Sequence, residues 1–314
     1  MQYVPYEKSR EVPHILVDGA DNAGTKLVLS HWKDNLTPAD LKDDLSAQIV
    51  FNYLDQPDFH VNVDAVTNDH FDADGLVGIW TLIHPEDAQE MRDFLIDIAS
   101  VGDFNVYKNR DAARVSFALD AWMNPHLSPL KKSVLQLSYP ELTVVLHEEL
   151  LPRLAKIIEK VDFQEKFWHQ QDALLEASED GFKNKKFKLN ELPELDLAIV
   201  TMPDSNVPIA ESIHRMAIHN LTDCMRILIM QETHFELYLR YETWVDFKSR
   251  KLMPRVDLTE LAANLTKQES MDGRWSFDDI NSFAPALRLT GDTQSKIPFE
   301  SFRSQAIEFL SQKT

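Results

Sequence analysis

The residues best suited to chemistry lie in the run Asn68-Asp69-His70-Phe71-Asp72-Ala73-Asp74-Gly75. Carboxylates at i and i+2, with an imidazole two residues before them, are costly neighbours. Like charges this close raise each other's pKa and resist full ionisation unless a cation sits among them. The run follows an extended stretch, Val61 to Thr67, and precedes an apolar helical stretch, Leu76 to Ile83. A strand that ends, presents a His and two Asp, and turns through Gly into a helix is where a parallel α/β sheet builds its site. The pattern is expected to be half of a metal centre.

Three further segments end in a hard ligand: Asp18 after Ile15-Leu16-Val17, His31 after Val28-Leu29-Ser30, and Asp103 at the end of a predicted helix. Mixed imidazole and carboxylate sets suit manganese, iron or zinc. Two ions about 4 Å apart need around six such ligands, one of them a bridging carboxylate. Asp18, His31, His70, Asp72, Asp74 and Asp103 fill that number, with Asp72, Asp74 and His31 in the catalytic positions. Singly, each has a plainer use, since an Asp at a strand end commonly caps a helix or forms a turn. A calcium loop starting at His70 fails because its first position is His and its twelfth is Thr81. His147-Glu148-Glu149 lacks the second His of a zinc-protease helix. His214 and His219, five apart, have poor ligand geometry. There is no Gly-x-Ser-x-Gly and no Gly-rich nucleotide loop, and 8 glycines in all argue against backbone cradling of phosphate.

The elements that must position these residues alternate. Residues 13–18 and 26–30 read as buried strands, Asp44 to Leu54 as a helix, and Val61–Thr67 as a third strand before the helix that follows Gly75. Helices are predicted from Pro85 to Gly102, over Asp111–Met123 and over Glu141–Leu175. The alternation predicts an α/β fold with a mainly parallel sheet flanked by helices. A polar stretch, residues 178–193, breaks the composition and reads as a linker carrying Lys183, Lys185, Lys186 and Lys188, with a basic strip beside the cleft that meets phosphate as the alternative. Residues 1–177 are thus expected to form one α/β domain, and 194–314 a smaller α/β or α+β domain. In the latter, strands are predicted over Leu195–Met202, Met225–Gln231 and Phe235–Phe247. Helices are predicted over Ile209–Leu221, Val256–Leu265 and Pro298–Leu310, with a turn at Gly273-Arg274-Trp275.

The chain has 314 residues, 44% of them hydrophobic, so it can bury sizeable cores. Its net charge of −19 opposes binding to long nucleic acid or to anionic membranes, though a small phosphorylated substrate held through a metal ion remains compatible. Cys224 is the single cysteine. With no signal-like start and no run of about 18 apolar residues, a cytoplasmic protein without membrane contact is expected.

His70-Phe71-Asp72-Ala73-Asp74-Gly75 resembles the first motif of the DHH phosphoesterase superfamily, commonly Asp-Tyr-Asp-x-Asp-Gly. Residues 28–35, VLSHWKDN, resemble its Asp-His-His-x-x-Asn motif, residues 15–20 (ILVDGA) its strand-end Asp, and residues 100–104 (SVGDF) its later Asp motif. In the second half, residues 244–250 (WVDFKSR), 256–263 (VDLTELAA) and 272–277 (DGRWSF) resemble its smaller substrate-holding domain. The order is unusual, because the Asp18 and His31 segments precede the first motif. Asp-His-His stands here as Ser30-His31-Trp32, the first motif begins with His70, and the Gly-rich His motif has become Asp272-Gly273-Arg274-Trp275. The pattern also resembles an uncharacterised bacterial family sharing the SHW, HFDADG and GDF segments. The DHH resemblance implies a phosphoesterase or pyrophosphohydrolase using Mn²⁺, or Mg²⁺, on a small phosphorylated or short nucleotide substrate in an interdomain cleft. By position, Arg250 and Arg274 would hold the far phosphate. Arg110 and Arg114, one helical turn apart, are further phosphate candidates, with pairing to Asp111 as their alternative. The rival expectation is a non-catalytic nucleotide- or protein-binding protein with an eroded metal site, for which Trp32 is the support.

Overall fold

The computed structural model describes residues 1–203, 207–269, 272–291 and 294–313; Thr314, the expected end of the second domain, lies outside them. The chain divides into two compact units. One comprises Met1–Asp172 and Val245–Arg250, the other Ala173–Trp244 and Lys251–Thr314.

The first unit is built on four short strands, β1 (Gln2–Tyr3), β2 (His14–Val17), β3 (Thr25–Leu29) and β4 (Ala65–Thr67). All pair in parallel, in the order β1-β4-β2-β3. β2 and β4 are buried at every position, which is why their sequences read as unbroken apolar runs and not as alternating ones. The helices of this unit are α1 (Tyr6–Ser9), α2 (Ser46–Asp55), α3 (Ala73–Ile83), α4 (Pro85–Glu90), α5 (Arg92–Phe104), α6 (Arg110–Asp120), α7 (Tyr139–Leu150) and α8 (Leu154–Glu159). α9 (Glu165–Lys183) leads out of it. α3 is buried from Ala73 to Leu82, with α2 and α5 packed against it. A helix apolar on all sides needs such cover.

The chain runs from β2 to β3 on one side and then, through α2, to β4 on the other side of β2. Strand order therefore reverses around β2. Open parallel sheets bind ligands beyond the C-terminal strand ends at such a reversal.

The second unit carries a six-stranded sheet, β5 (Lys188–Leu192), β6 (Leu197–Met202), β7 (Arg226–Gln231), β8 (His234–Leu239), β9 (Arg274–Phe277) and β10 (Ala286–Thr290), in the order β5-β6-β7-β8-β10-β9. Only β6 and β7 pair in parallel; the other pairings are antiparallel. The expectation of a mainly parallel sheet holds for the first unit alone. Leu197, Ile199, Leu228 and Met230 enter one core, with α12 (Thr259–Thr266) and α13 (Phe299–Lys313). Ala198, Val200, Ile227 and Ile229 enter a second core on the opposite face, together with residues of α10 (Ile209–Ser212) and α11 (Arg215–His219). Covering both faces makes β6 and β7 apolar throughout.

Several boundaries differ from the sequence expectation. The strand expected from Val61 pairs only over Ala65–Thr67, and the helix expected from Leu76 begins three residues earlier, at Ala73. Glu141–Leu175 is divided among α7, α8 and α9, and Pro152, which has no N–H, ends the first of them. The expected linker, 178–193, is occupied by the end of α9 and by edge strand β5, whose exposed Lys188 suits an edge that must not recruit another strand. β8 ends at Leu239 rather than Phe247, and Arg274-Trp275 opens β9 instead of forming a turn.

A candidate metal centre at the strand ends

The ends of β2, β3 and β4 each deliver one part of the site. Asp18 follows β2 directly, with φ of 48°, a left-handed conformation that a non-glycine residue adopts at a cost. His31 follows β3 by one residue, and His70 and Asp72 lie in the loop after β4. Asp72 caps α3, accepting from the Gly75 N–H at 2.8 Å. Asp74 sits in the first turn of α3 and reaches sideways to α2, accepting the N–H groups of Ser46 and Ala47, both at 2.7 Å. Asp103 comes from the last turn of α5, where the helix dipole already disfavours a carboxylate.

These residues converge. His31 Nε2 lies 3.4 Å from Asp18 Oδ1, 3.4 Å from Asp103 Oδ2 and 3.9 Å from Asp74 Oδ2. His70 Nε2 lies 2.9 Å from Asp72 Oδ2 and 3.3 Å from Asp18 Oδ2. Two ligand triads result, Asp18-His31-Asp74 and Asp18-His70-Asp72, each with its donor atoms within 4.8 Å of one another. Asp18 belongs to both and turns one oxygen toward each imidazole.

Both imidazoles are aimed by their other nitrogen. His31 Nδ1 donates to the Asp44 carbonyl at 2.6 Å, since that oxygen can only accept. His70 Nδ1 lies 2.8 Å from Asp69 Oδ1, a carboxylate–imidazole pair of the kind that orients metal-binding histidines. Asp69 also accepts the Ala20 N–H. Its approach requires Gly19, because a Cβ there would stand 2.5 Å from Asp69 Oδ1. Ser46 links the two sides, donating its hydroxyl to Asp18 Oδ1 at 2.8 Å and accepting the His31 N–H.

The charges do not balance. Burial, reinforced by Asp18 and Asp72, holds the Asp74 carboxyl well above the ordinary carboxylate range. Burial together with Asp74, Asp72 and Asp18 does the same to Asp103. Burial opposes ionisation of Asp72 too, but the charge and hydrogen bond of His70 outweigh it and draw Asp72 down to about 2. His70 is raised because Asp72, Asp18 and Asp69 together overcome the desolvation of its ring. Asp18 Oδ2 and Asp103 Oδ2 are buried without a hydrogen-bond donor among the described residues. Acceptors crowded around imidazole nitrogens, with two buried oxygens unsatisfied, are the electrostatic complement of a divalent cation. A donor set of imidazole nitrogen and carboxylate oxygen is chemically compatible with manganese, iron or zinc.

All six residues expected to bind metal are brought together at these strand ends. Of the four expected arginines, Arg110 and Arg114 meet carboxylates of the protein itself. Arg110 Nε meets Asp172 Oδ1 at 2.5 Å, and Arg114 bonds Asp111 and Asp172 and lies over the Trp168 ring. Asp172 is the carboxylate they share. Arg250 is half-buried at the end of segment Val245–Arg250, and Arg274 is exposed on β9 of the second unit. Asp44, Ser46 and Asp69 were not expected at the site. Only the adjacency of Asp69 to His70 hinted at a role, because orienting residues carry no spacing signature of their own.

A parallel sheet whose strand ends gather buried carboxylates and imidazoles defines an α/β protein with a cation-type cluster. The chain belongs to a family of unknown function, DUF6687, whose model matches residues 1–313. No curated protein matches the chain significantly.

Proposed function

We propose that the first unit is a divalent-cation centre that hydrolyses a phosphoester or pyrophosphate bond in a small phosphorylated molecule or short nucleotide. The observation that carries this is the shared Asp18, with Oδ1 toward His31 and Oδ2 toward His70. A bridging carboxylate between two ligand sets is the arrangement of two-ion hydrolytic sites. Asp18, His31, Asp74 and Asp103 would hold one ion, and Asp18, His70 and Asp72 the other. Bound Mn²⁺, or Mg²⁺, supplies Lewis acidity and offsets charge developing on phosphoryl oxygens. Asp44 and Asp69 keep both Nε2 atoms aimed, and Ser46 holds Asp18 in place. The resemblance of HFDADG and its companion segments to DHH phosphoesterases points to the same chemistry. Arg250 is the expected cation retained for the far phosphate. The chain's net charge of −19 favours a short substrate over a long polymer.

A second assignment is ligand binding without turnover, favoured by Trp32. Its ring lies 5.2 Å from that of His70, where the resembled family has a second His. Metal analysis, an Mn²⁺ thermal-shift series and hydrolysis of pyrophosphate and bis-p-nitrophenyl phosphate separate the two. Hydrolysis in Mn²⁺ that is lost on Asp72→Asn supports the enzyme. Bound Mn²⁺ with no turnover assigns the binding role. Neither metal nor a thermal shift removes the centre altogether.

A further inference from the structure

Segment Val245–Arg250 packs in the first unit, although the chain on both sides of it belongs to the second. Its anchors lie directly behind the cluster. The Asp44 carboxylate accepts the N–H of Lys248 at 2.5 Å, the N–H of Ser249 at 2.9 Å and the Ser249 hydroxyl. The Asp246 N–H donates to the His31 carbonyl at 2.7 Å, and the Asp246 carboxylate meets Lys42 at 2.7 Å. The Phe247 ring packs edge-on to Phe104, the neighbour of Asp103, with centroids 5.8 Å apart.

Asp44 therefore faces two ways. Its carboxylate, buried with the residue at 8% exposure, holds the segment, while its carbonyl holds Nδ1 of His31. A peptide carbonyl keeps a 2.6 Å bond only while its own residue is pinned. With the segment in place, residue 44 is fixed by three donors and the His31 main chain by a fourth. With it released, the Asp44 carboxylate would be a buried anion without donors, and the turn would have to open toward water.

We propose that Val245–Arg250 is a strap that positions the His31 imidazole through Asp44, so that seating of the strap and cation binding at His31 Nε2 strengthen one another. This rests on the cation centre proposed above. Asp44 is a positioning residue and touches no ion itself. Linkage requires the effect to run both ways. A cation that fixes the His31 ring favours the seated strap, and a seated strap raises cation affinity.

The test uses the full chain with Mn²⁺ alone. Binding is followed by electron paramagnetic resonance, and amide hydrogen exchange is followed in peptides covering 245–250. In the wild type, Mn²⁺ is expected to slow exchange in the strap. Asp44→Ala is expected to weaken Mn²⁺ binding 10- to 100-fold, the range for lost outer-sphere partners, and to abolish the Mn²⁺-dependent protection. Asp44→Asn, which keeps an acceptor oxygen, is expected to recover part of both. Ser249→Ala removes one hydroxyl and leaves the ligand set intact, so it decides the matter should Asp44→Ala unfold; a several-fold weaker affinity with faster strap exchange is expected. A wild type that binds Mn²⁺ with unchanged strap exchange overturns the coupling, as does wild-type affinity in Ser249→Ala. A merely structural Asp44 would lower the melting temperature but leave the Mn²⁺ response of the strap intact. A wild type that binds no Mn²⁺ overturns the cation centre, and the strap's role falls with it.

Discussion

Replacing Asp18 with Asn should reverse the stability order of wild type and variant according to whether Mn²⁺ is present. Asp18 shares one triad with Asp74 and the other with Asp72, with donor atoms within 4.8 Å. Two unit charges at that separation repel by about 3.5 kcal/mol at an effective dielectric of about 20, so two carboxylate neighbours cost about 7 kcal/mol. His70 Nε2, at 3.3 Å, returns about 5 kcal/mol when protonated. The balance, about 2 kcal/mol against the native residue, holds while Asp74 is ionised; where Asp74 keeps its proton, one repulsion of about 3.5 kcal/mol drops out and the sign reverses. Asn keeps an oxygen to accept from the Ser46 hydroxyl, so no donor is orphaned. At alkaline pH, with Asp74 ionised, metal-free Asp18→Asn should therefore melt about 4–8 °C above wild type, at about 2–4 °C per kcal/mol for a unit of this size. With Mn²⁺ at about a thousandfold over Kd, wild type should gain about 4 kcal/mol and the variant, lacking the bridge, far less. Differential scanning fluorimetry in chelator and in Mn²⁺ reads both arms. A variant less stable than wild type in chelator, responding to Mn²⁺ as wild type does, would refute the electrostatic account of the cluster.

The buried arginine anchors, the core histidine and the glycine contact give three further expectations. Asp172→Ala, which strips Arg110 and Arg114 of their shared carboxylate, should cost about 1–3 kcal/mol in urea denaturation and leave Mn²⁺ affinity unchanged; lost metal binding with unchanged stability would tie the pair to the site. His147, stacked on Tyr3 and fully buried, is held neutral, its pKa lowered to about 4 chiefly by burial. Because the folded value lies below the unfolded one, the unfolded chain takes the proton first. The contribution is then complete above pH 6.5 and is lost as pH falls toward 4, about 3 kcal/mol in all. Denaturation midpoints across that window should fall with pH in wild type and fall less in His147→Phe; parallel slopes would assign the pH dependence elsewhere. Gly19→Ala places a methyl 2.5 Å from Asp69 Oδ1 and should push Asp69 off His70, lowering stability by about 1–3 kcal/mol and Mn²⁺ affinity with it; an unchanged Mn²⁺ titration would show that Asp69 does not orient His70.

The amino-acid sequence by itself determined the chemistry on offer. Apolar runs leading to Asp18, His31 and Asn68 are visible without coordinates, because the parts of β2, β3 and β4 next to the strand ends are buried. Ligand types are equally legible, since carboxylates and imidazoles at strand ends are few. Tertiary structure alone decided which of these meet. Placing β4 beside β2, and not beyond β3, is a matter of strand order, which depends on how α2 and α3 pack on the sheet and leaves no local pattern in the chain. The same holds for Arg110 and Arg114, whose anion sits some sixty residues away in Asp172. It holds for Asp44 and its strap, 204 residues apart in the chain yet 2.5 Å apart in the fold. Local periodicity reports burial and turn geometry over a few residues. Pairings across such distances arise only when the chain has collapsed around its cores, and it is such a pairing that holds Asp44, which aims His31 at Asp18.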